Sequence, residues 1–324
     1  MLLYTLSVKK DTDFLHFFIY QEGILLDRIL TYTIDSSQEG TLLLDFLRSK
    51  GFSRNILSSM KPDKTAIMLN SVRGFCSSKL HQGDYLQIRV PETDHSDGIL
   101  PVKMDLDILY EDEDLLIVNK KANMPVHPSI GNYENTLANA VAWYYKQKGE
   151  NFVYRCINRL DRDTTGALIL AKNPYSAAVL SAFMKQRQIR RTYLAIVCGI
   201  LPEQGTINAP IARASDSAIM RTVDFLNGEK AVTHFKRLMT YTDPTDEQTY
   251  SLAELHLETG RTHQIRVHMM HIGHPLPGDF LYNPDYRIIK RQPLHSYQLE
   301  FSHPVTGKSM EITAPVPEDF RVVQ

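Results

Sequence analysis

Short apolar runs alternate irregularly with helical segments from residue 105 onward, and this pattern narrows the possible folds more than any other feature of the chain. Because strands and helices interleave without a regular strand–helix–strand order, the pattern predicts an α+β domain rather than a doubly wound parallel sheet. The runs that predict strands are residues 115–118, 167–171, 192–198 and 251–258, and those that predict helices are residues 136–148 and 174–187.

The amino-terminal region is organised differently and predicts a separate small unit. We expect three parts: an amino-terminal region over residues 1–91, an acidic linker containing Pro and Gly over 92–104, and a large domain over 105–324. Within the first part the sequence predicts two or three short strands in residues 1–35, a helix over 42–48 that stops at Gly51, a helix over 54–60 capped by Ser53, and strands over 66–70 and 85–90.

The formal net charge of −1 conceals an uneven distribution of charge. Residues 41–90 carry eight basic and three acidic side chains, and residues 155–191 carry eight basic and two acidic ones. Such segments can attract the phosphates of a nucleic acid, or they can be solvated helix faces. No apolar run approaches the roughly 18 residues that span a bilayer, the chain does not begin with a secretory signal, and the three cysteines form no CxxC pair. We therefore expect a cytoplasmic protein without membrane contact.

The densest polar cluster is residues 158–166 (NRLDRDTTG), directly before an apolar strand. Arg159 and Arg162 flank Asp161 and would favour its charged form, so Asp161 is a candidate nucleophile or base. The same residues can also be a structural loop whose Asp and Arg side chains pair with one another. The run that begins at Asp161 further fits the D-x-D-x-T core of haloacid-dehalogenase phosphatases, although residues 155–159 are not the continuous apolar strand that this family places before it.

A second polar cluster is residues 257–268 (LETGRTHQIRVH), which follows an alternating strand. Gly260 would allow a sharp turn into a helix capped by Thr262, and Arg261 and Arg266 are candidates for binding phosphate or carboxylate groups. His268, His271 and His274 recur at a spacing of three, which suggests a metal site. Since the helix contains no acidic residue and His274 precedes a proline, packing or RNA-contact roles are favoured over a metal.

These clusters resemble the motifs of RluA-type pseudouridine synthases. Residues 158–166 resemble the family pattern H-R-L-D-[RK]-x-T-[ST]-G, residues 191–199 resemble its Y-x-A-x-V-x-G strand, and residues 257–268 match L-x-T-G-R-T-H-Q-I-R-x-H. Smaller matches, among them Gly278-Asp279, fall in the same order, so that the resemblance covers residues 105–320. Two positions depart from the pattern: Asn158 replaces the leading His, and Lys121 replaces a Pro after Asn119-Lys120.

The resemblance implies an RNA isomerase whose domain has a central mixed, largely antiparallel sheet flanked by helices. It implies that Asp161 acts on the ribose as nucleophile or as base, that Arg266 is its fixed partner, and that Tyr193 stacks on the target uracil and assists the last deprotonation. Arg159 would enter the base stack that the uridine leaves. Neither a metal, nor a cofactor, nor an obligatory protein partner is implied. The further substrate-binding candidates are Arg162, Thr164, Arg261, His263, Gln264, Val267, Lys120 and His127.

Residues 40–91 more loosely resemble the alpha-L RNA-binding module that often precedes this catalytic domain. On that basis two helices would present Arg48, Lys50, Arg54 and Lys61 to a folded RNA. The alternative is a basic unit that contacts only its neighbouring domain. For the whole chain, the alternative to an enzyme is an inactive RNA-binding or ribosome-assembly protein. Ribosomal RNA is the favoured substrate, and transfer RNA is the alternative.

Overall fold

The computed structural model describes residues 27–215, 217, 219–244 and 247–323. The strands expected before residue 27 therefore lie outside the described residues. The helices are Leu43–Ser49 (α1), Arg54–Ser59 (α2), Leu137–Lys148 (α3), Pro174–Lys185 (α4) and Gln264–His271 (α5). The strands are Arg28–Thr33 (β1), Ile67–Leu69 (β2), Val72–Arg73 (β3), Tyr85–Val90 (β4), Ile108–Glu111 (β5), Leu115–Lys120 (β6), Thr165–Ala171 (β7), Arg190–Cys198 (β8), Gln204–Asn208 (β9), Ile211–Arg213 (β10), Arg221–Val223 (β11), Val232–Thr242 (β12), Thr249–Leu257 (β13), Leu294–Ser302 (β14) and Ser309–Thr313 (β15).

A nine-stranded sheet is the centre of the large domain in the described part of the chain. The strand order is β5-β6-β7-β14-β8-β13-β12-β9, and β15 pairs with β14. Only the β7–β14 pair is parallel among the described ladders of this sheet, and the others are antiparallel. The expected α+β class with a mixed, largely antiparallel sheet is thereby confirmed.

Both faces of this sheet are buried at β7. Along β7, Leu168 and Leu170 belong to the apolar core that includes residues of α3 and α5, whereas Ala167, Ile169 and Ala171 belong to the core beneath α4. Alternate side chains of a strand point to opposite faces. A strand covered on both faces therefore appears in the sequence as an unbroken apolar run, which is what residues 167–171 show.

A close backbone approach fixes the point where β7 meets β14. Gly166 has φ +109°, and a Cβ at this position would lie 2.2 Å from the carbonyl oxygen of Ser296. Neither the dihedral angle nor the space admits a side chain. The glycine thus allows β14 to run beside the end of the polar loop at residues 158–165 and helps to hold that loop in place.

The small amino-terminal unit is a four-stranded sheet of order β1-β4-β2-β3 packed on α1 and α2. Because β1 pairs with β4 from residue 28, the unit starts before residue 40, where the sequence placed the beginning of the module. The amino-terminal cap predicted for α2 is confirmed, since the Ser53 hydroxyl accepts a hydrogen bond from Ile56 N at 3.3 Å.

The small unit is packed directly against α4 of the large domain. Tyr175 and Val179 belong to its apolar core, and the rings of Tyr175 and Phe52 lie 4.7 Å apart. At the edge of this contact Arg28 makes a bidentate ion pair with the buried Asp114, at 2.9 Å for each nitrogen. The acidic segment 92–104 is likewise fastened to the large domain, for example through Arg155 Nη2, which lies 2.6 Å from Glu92 Oε1.

Candidate active site

A cleft of about 1160 Å³ is lined by most of the catalytic and substrate-binding candidates of the sequence. Its walls are the loop at residues 156–161, the end of α4 with the start of β8 (184–193), and the turn from β13 into α5 (256–265). These segments are distant in sequence, and the sheet brings them together because β8 lies between β14 and β13. The two polar clusters of the sequence therefore form opposite parts of one cavity.

Asp161 and Arg266 meet at the back of this cleft. Nη1 of Arg266 donates to Oδ2 of Asp161 at 2.8 Å, and the Asp161 side chain is 26% exposed toward the cavity. Arg266 lies behind it, with a side chain only 1% exposed. The pairing implied by the resemblance is thus present, with the carboxylate accessible and the guanidinium buried.

Asp279 anchors Arg266 from the other side. Nε and Nη2 of Arg266 each donate to one oxygen of the Asp279 carboxylate at 2.7 Å. Asp279 is completely buried and also accepts from the backbone N–H groups of Leu281 and Tyr282. A bidentate guanidinium–carboxylate pair fixes orientation as well as position. Asp279 therefore aims the remaining nitrogen of Arg266 at Asp161.

Burial and charge act in opposite directions on Arg266. Burial alone would lower the pKa of its guanidinium, but the hydrogen bonds and charges of Asp279 and Asp161 outweigh it and raise that pKa above its ordinary value. The Tyr282 and Phe280 rings lie 5.1 and 5.6 Å from the guanidinium carbon. The result is a fixed positive charge in a low-dielectric setting directly behind Asp161.

His263 extends the same network into the turn that precedes α5. Its Nδ1 lies 2.9 Å from the hydroxyl of Tyr282, and its Nε2 lies 4.0 Å from Oδ2 of Asp161. Burial lowers the pKa of His263, and the nearby Asp161 opposes that shift. His263 has φ +57° and precedes α5 without a side-chain cap, so the expected Thr262 cap is wrong, and the left-handed residue of the turn is His263 rather than Gly260.

The loop that carries Asp161 is fastened to β7. The buried Asn158 side chain accepts from Ile169 N at 2.8 Å and donates to Ala167 O at 3.4 Å. The backbone N–H of Thr164 donates to the carbonyl of Asp161 at 3.1 Å, closing a turn. Asn158, one of the two departures from the family pattern, therefore connects the loop to the strand through its side chain.

Lys120 lies beneath this loop rather than in the cleft wall. It is 1% exposed, and its Nζ donates to three backbone carbonyls, those of Lys121, Met124 and Arg162, at 2.8–2.9 Å. Burial lowers the pKa of Lys120 to about 7, although the charges of Asp163 and Asp161 oppose this. With its three donor positions occupied by the protein, Lys120 is placed to position the loop and not to bind the substrate.

The remaining candidates divide into two groups. Tyr193, Arg159, Thr164, Arg261, His263, Gln264 and His127 line the cleft. Gln264 is an internal brace within it, since its amide contacts Thr259, the backbone of Arg261 and Val232, and Thr233.

Two candidates lie outside the cleft wall. Arg162 pairs with the adjacent Asp163 at 2.9 Å and lies over the Phe280 ring. Val267, which the resemblance placed in the base pocket, instead packs with Ile211, Ala231 and Tyr282 under the β10–β11 hairpin. A helical residue that follows Arg266 points about 100° away from it, so the two side chains cannot share one wall.

His268 and His274, two of the three histidines that recur at a spacing of three, have different hydrogen-bond partners. Both ring nitrogens of His268 are hydrogen-bonded, to the Thr233 hydroxyl and to Ala209 O, each at 2.8 Å. His274 Nδ1 lies 2.8 Å from Cys198 O. Within the described residues, the group of potential ligand atoms close enough for a metal is Asp112, Asp114 and His303. It lies near the interface with the small unit, where Arg28 already pairs with Asp114.

The basic residues proposed for the small unit differ in their freedom to bind RNA. Arg54 and Lys61 are exposed, and Arg48 lies 3.8 Å from Asp45. The ammonium group of Lys50 lies over the Tyr32 and Phe46 rings, at 5.8 and 5.3 Å from their centres. The small unit therefore offers Arg54, at the start of α2, and Lys61, just after its end, most directly.

Asp279 and Tyr282 were not assigned roles from the sequence. In the sequence, Gly278-Asp279 stands out only because it matches the family motifs in order. A short acidic turn does not indicate that its carboxylate pairs with Arg266, 13 residues away. Only the packing of the segment 278–282 against α5 shows that its carboxylate and phenol support Arg266 and His263.

The family model for RNA pseudouridylate synthase matches residues 114–271, a segment that contains Asp161, Tyr193 and Arg266. The uncharacterized RNA pseudouridine synthase YjbO of Bacillus subtilis (strain 168) is 40% identical over 270 residues, which cover 83% of this chain and 93% of the relative. Ribosomal large subunit pseudouridine synthase D of Pasteurella multocida (strain Pm70) is 37% identical over 257 residues, 75% of this chain and 77% of the relative.

Among solved structures, human RNA pseudouridylate synthase domain containing 1 superposes with a TM-score of 0.55 at 27% identity, over 65% of this chain and 83% of that chain. None of the described helices combines the length and the apolar character needed to cross a membrane.

Proposed function

The chain belongs to the RNA pseudouridylate synthase family and is therefore an isomerase, and from this premise we propose that it converts specific uridines of ribosomal RNA to pseudouridine, with Asp161 as the carboxylate that acts on the ribose. The observation that carries the proposal is the position of Asp161, which is open to the cleft on one side and held by Arg266 at 2.8 Å on the other. The phosphatase interpretation of residues 161–165 is not supported, because the family match covers this segment.

The reaction breaks the bond between ribose and a base nitrogen, turns the base, and rejoins it through carbon with the loss of a proton from that carbon. Bond cleavage develops positive charge on the sugar, which a nearby carboxylate stabilises. Asp161 supplies this carboxylate. Arg266, immobilised by Asp279, keeps the carboxylate in one orientation, and an alignment set before the reaction lowers the barrier.

Tyr193 and Arg159 are proposed to handle the base. A uridine within folded RNA must leave its stack to reach a carboxylate inside the cleft, at a cost of a few kcal/mol. Arg159 is exposed beside the cleft, two residues before Asp161, and can fill the space that the uridine leaves. Tyr193 lines the floor of the cavity with 4% of its surface exposed, where its ring can stack on the uracil and its hydroxyl can assist the final deprotonation.

Ribosomal RNA is proposed as the substrate on two grounds. Several relatives at 35–39% identity are named ribosomal large subunit pseudouridine synthase D. In addition, we propose that the small unit acts as an alpha-L RNA-binding module, whose exposed Arg54 and Lys61 would contact the backbone of folded RNA.

The test is to delete the gene, map pseudouridines in all cellular RNA, and restore the strain with wild-type protein, Asp161→Asn or Asp105→Asn. Asp161→Asn keeps the shape of the side chain and removes its charge, and it should leave the affected site unmodified. Asp105 is a matched control, because its side chain is 97% exposed and outside the cleft, so Asp105→Asn should restore the modification.

Two results would contradict the proposal. Full modification by Asp161→Asn would remove Asp161 from the chemistry. An unchanged pseudouridine map in the deletion strain would instead favour an RNA-binding or ribosome-assembly role. A lost site in transfer RNA would retain the activity and change the substrate.

A further inference from the structure

The cleft contains a further cationic side chain, Arg191, that takes no part in the proposed chemical steps. Its Nε is buried and has no hydrogen-bond partner within the described residues. Its guanidinium lies beside the turn at Gly260, where a Cβ would come within 3.3 Å of Nη1. Gly260 thus leaves room for the guanidinium in the cleft, and the protein does not use all of its donors.

The position of Arg191 relates it to the base pocket. Arg191 and Tyr193 are two residues apart on β8 and both line the cavity. Side chains at this spacing lie on the same face of a strand, with α-carbons about 7 Å apart. Arg191 therefore lies next to Tyr193, the residue proposed to stack on the uracil, on the same face of β8. The RNA backbone next to the flipped nucleotide would pass at this position.

The acidic residues of the cleft do not neutralise Arg191. Glu258 pairs with Arg187 at 3.2 Å and with His234 at 2.9 Å. Glu300 is 4.0 Å from Arg190. Asp161, the third acid of the cavity, is held by Arg266. The charge and the free donors of Arg191 thus remain available for an anionic ligand.

We propose that Arg191 binds a phosphate of the RNA backbone next to the target uridine and thereby contributes to the affinity for the RNA. This inference rests on the proposed function. A guanidinium suits the role because its planar donors match a phosphate, and because unsatisfied buried donors gain most from a charged acceptor.

The test compares Arg191→Ala, Arg191→Lys and Gly260→Ala with wild-type protein, using a transcript of the RNA that contains the mapped uridine. The measured quantities are kcat, KM and the dependence of RNA affinity on salt. Arg321→Ala is the control, since this arginine is exposed and does not line the cleft. Thermal melting of each variant verifies that it is folded.

Arg191→Ala should raise KM about tenfold, the effect of one charge-assisted hydrogen bond, with kcat nearly unchanged because the contact is the same in the ground and transition states. The slope of log affinity against log salt should become shallower by about 0.7–0.9, the equivalent of one phosphate. Arg191→Lys should retain the slope with a smaller rise in KM. Gly260→Ala, which displaces the guanidinium without removing its charge, should raise KM less than Arg191→Ala.

Wild-type KM and salt slope in Arg191→Ala would overturn the inference, as would a loss of thermal stability with no change in slope. If Arg191→Ala does not fold, an unchanged KM in both Arg191→Lys and Gly260→Ala would overturn it as well. A wild-type protein that modifies no RNA would refute the proposed function itself, which separates the two failures.

Discussion

Replacing Asp279 with Asn tests whether the geometry of the active site depends on a carboxylate that does not line the cleft. In the wild-type protein both Asp279 oxygens accept from Arg266 at 2.7 Å, and the pair is buried. An asparagine keeps the shape but presents one NH₂ group to the guanidinium. One donor of Arg266 then faces another donor, in a site that water does not reach.

The expected loss of stability follows from burial. Removing one partner of a buried ion pair costs about 3–5 kcal/mol, and because Arg266 keeps Asp161 as a second partner at 2.8 Å, the lower end, about 3 kcal/mol, applies. For a domain of this size each kcal/mol shifts Tm by about 2–4 °C, so that Tm should fall by roughly 6–12 °C. A displacement of Arg266 by about 1 Å should in addition lower kcat about 100-fold.

The assay is thermal unfolding together with single-turnover pseudouridine formation. Asp319→Asn is a matched control for stability, because Asp319 makes the same bidentate contact with Arg291, at 2.7 and 2.8 Å, but its side chain is 40% exposed. A half-exposed pair contributes about 1 kcal/mol or less. Equal Tm shifts in the two variants would refute the argument from burial, and wild-type kcat in Asp279→Asn would refute the positioning role.

Three further predictions concern the interface, the sheet and the base pocket. Arg28→Ala removes the ion pair to buried Asp114 and should increase hydrogen exchange along β1 and α4, while protection at the wild-type level would show that apolar packing alone holds the small unit. Burial lowers the pKa of His295 from 6.5 to about 4. As the pH falls, the unfolded chain therefore binds a proton at this histidine before the folded protein does. The histidine thus contributes up to about 3 kcal/mol to the free energy of unfolding above pH 6.5, and this contribution is lost as the pH falls toward 4. Urea unfolding across this range should show that loss in wild-type protein and a weaker one in His295→Gln, and equal pH profiles would exclude the histidine as its source. Tyr193→Phe keeps the ring that is proposed to stack on the uracil and should leave KM within about twofold while lowering kcat about 100-fold. A kcat at the wild-type level would exclude a role for the hydroxyl in proton transfer.

The local elements of this protein could be read from the sequence because their signals lie within a few residues. The apolar run at 167–171 predicted β7, the spacing of 136–148 predicted α3, and Ser53 predicted the start of α2. The turn into α5 is an exception. Its left-handed residue is His263, whose ring contacts Tyr282. Because residues other than glycine rarely adopt a positive φ, local preference does not predict this conformation.

The motifs of the sequence predicted the residues of the candidate site, but not the residues that hold them in place, Asp279 and Tyr282. Asp161, Tyr193 and Arg266 were named because the sequence resembles a family, and the structure places the first two in one cavity with Arg266 directly behind Asp161. Lys120 and Val267 were placed in the wrong environment, since spacing along a chain does not reveal whether a side chain points into a cleft or beneath it.

The sequence by itself determined the class of fold, the positions of several strands and helices, and the family that supplies the chemistry, because these depend on periodicity and on short contiguous motifs. The tertiary structure alone decided that Asp279 holds Arg266, that Arg191 retains unused donors, and that the small unit is docked on α4. Each of these depends on contacts between residues brought together by the sheet, and on burial, which determines how strongly a charge interacts with its neighbours.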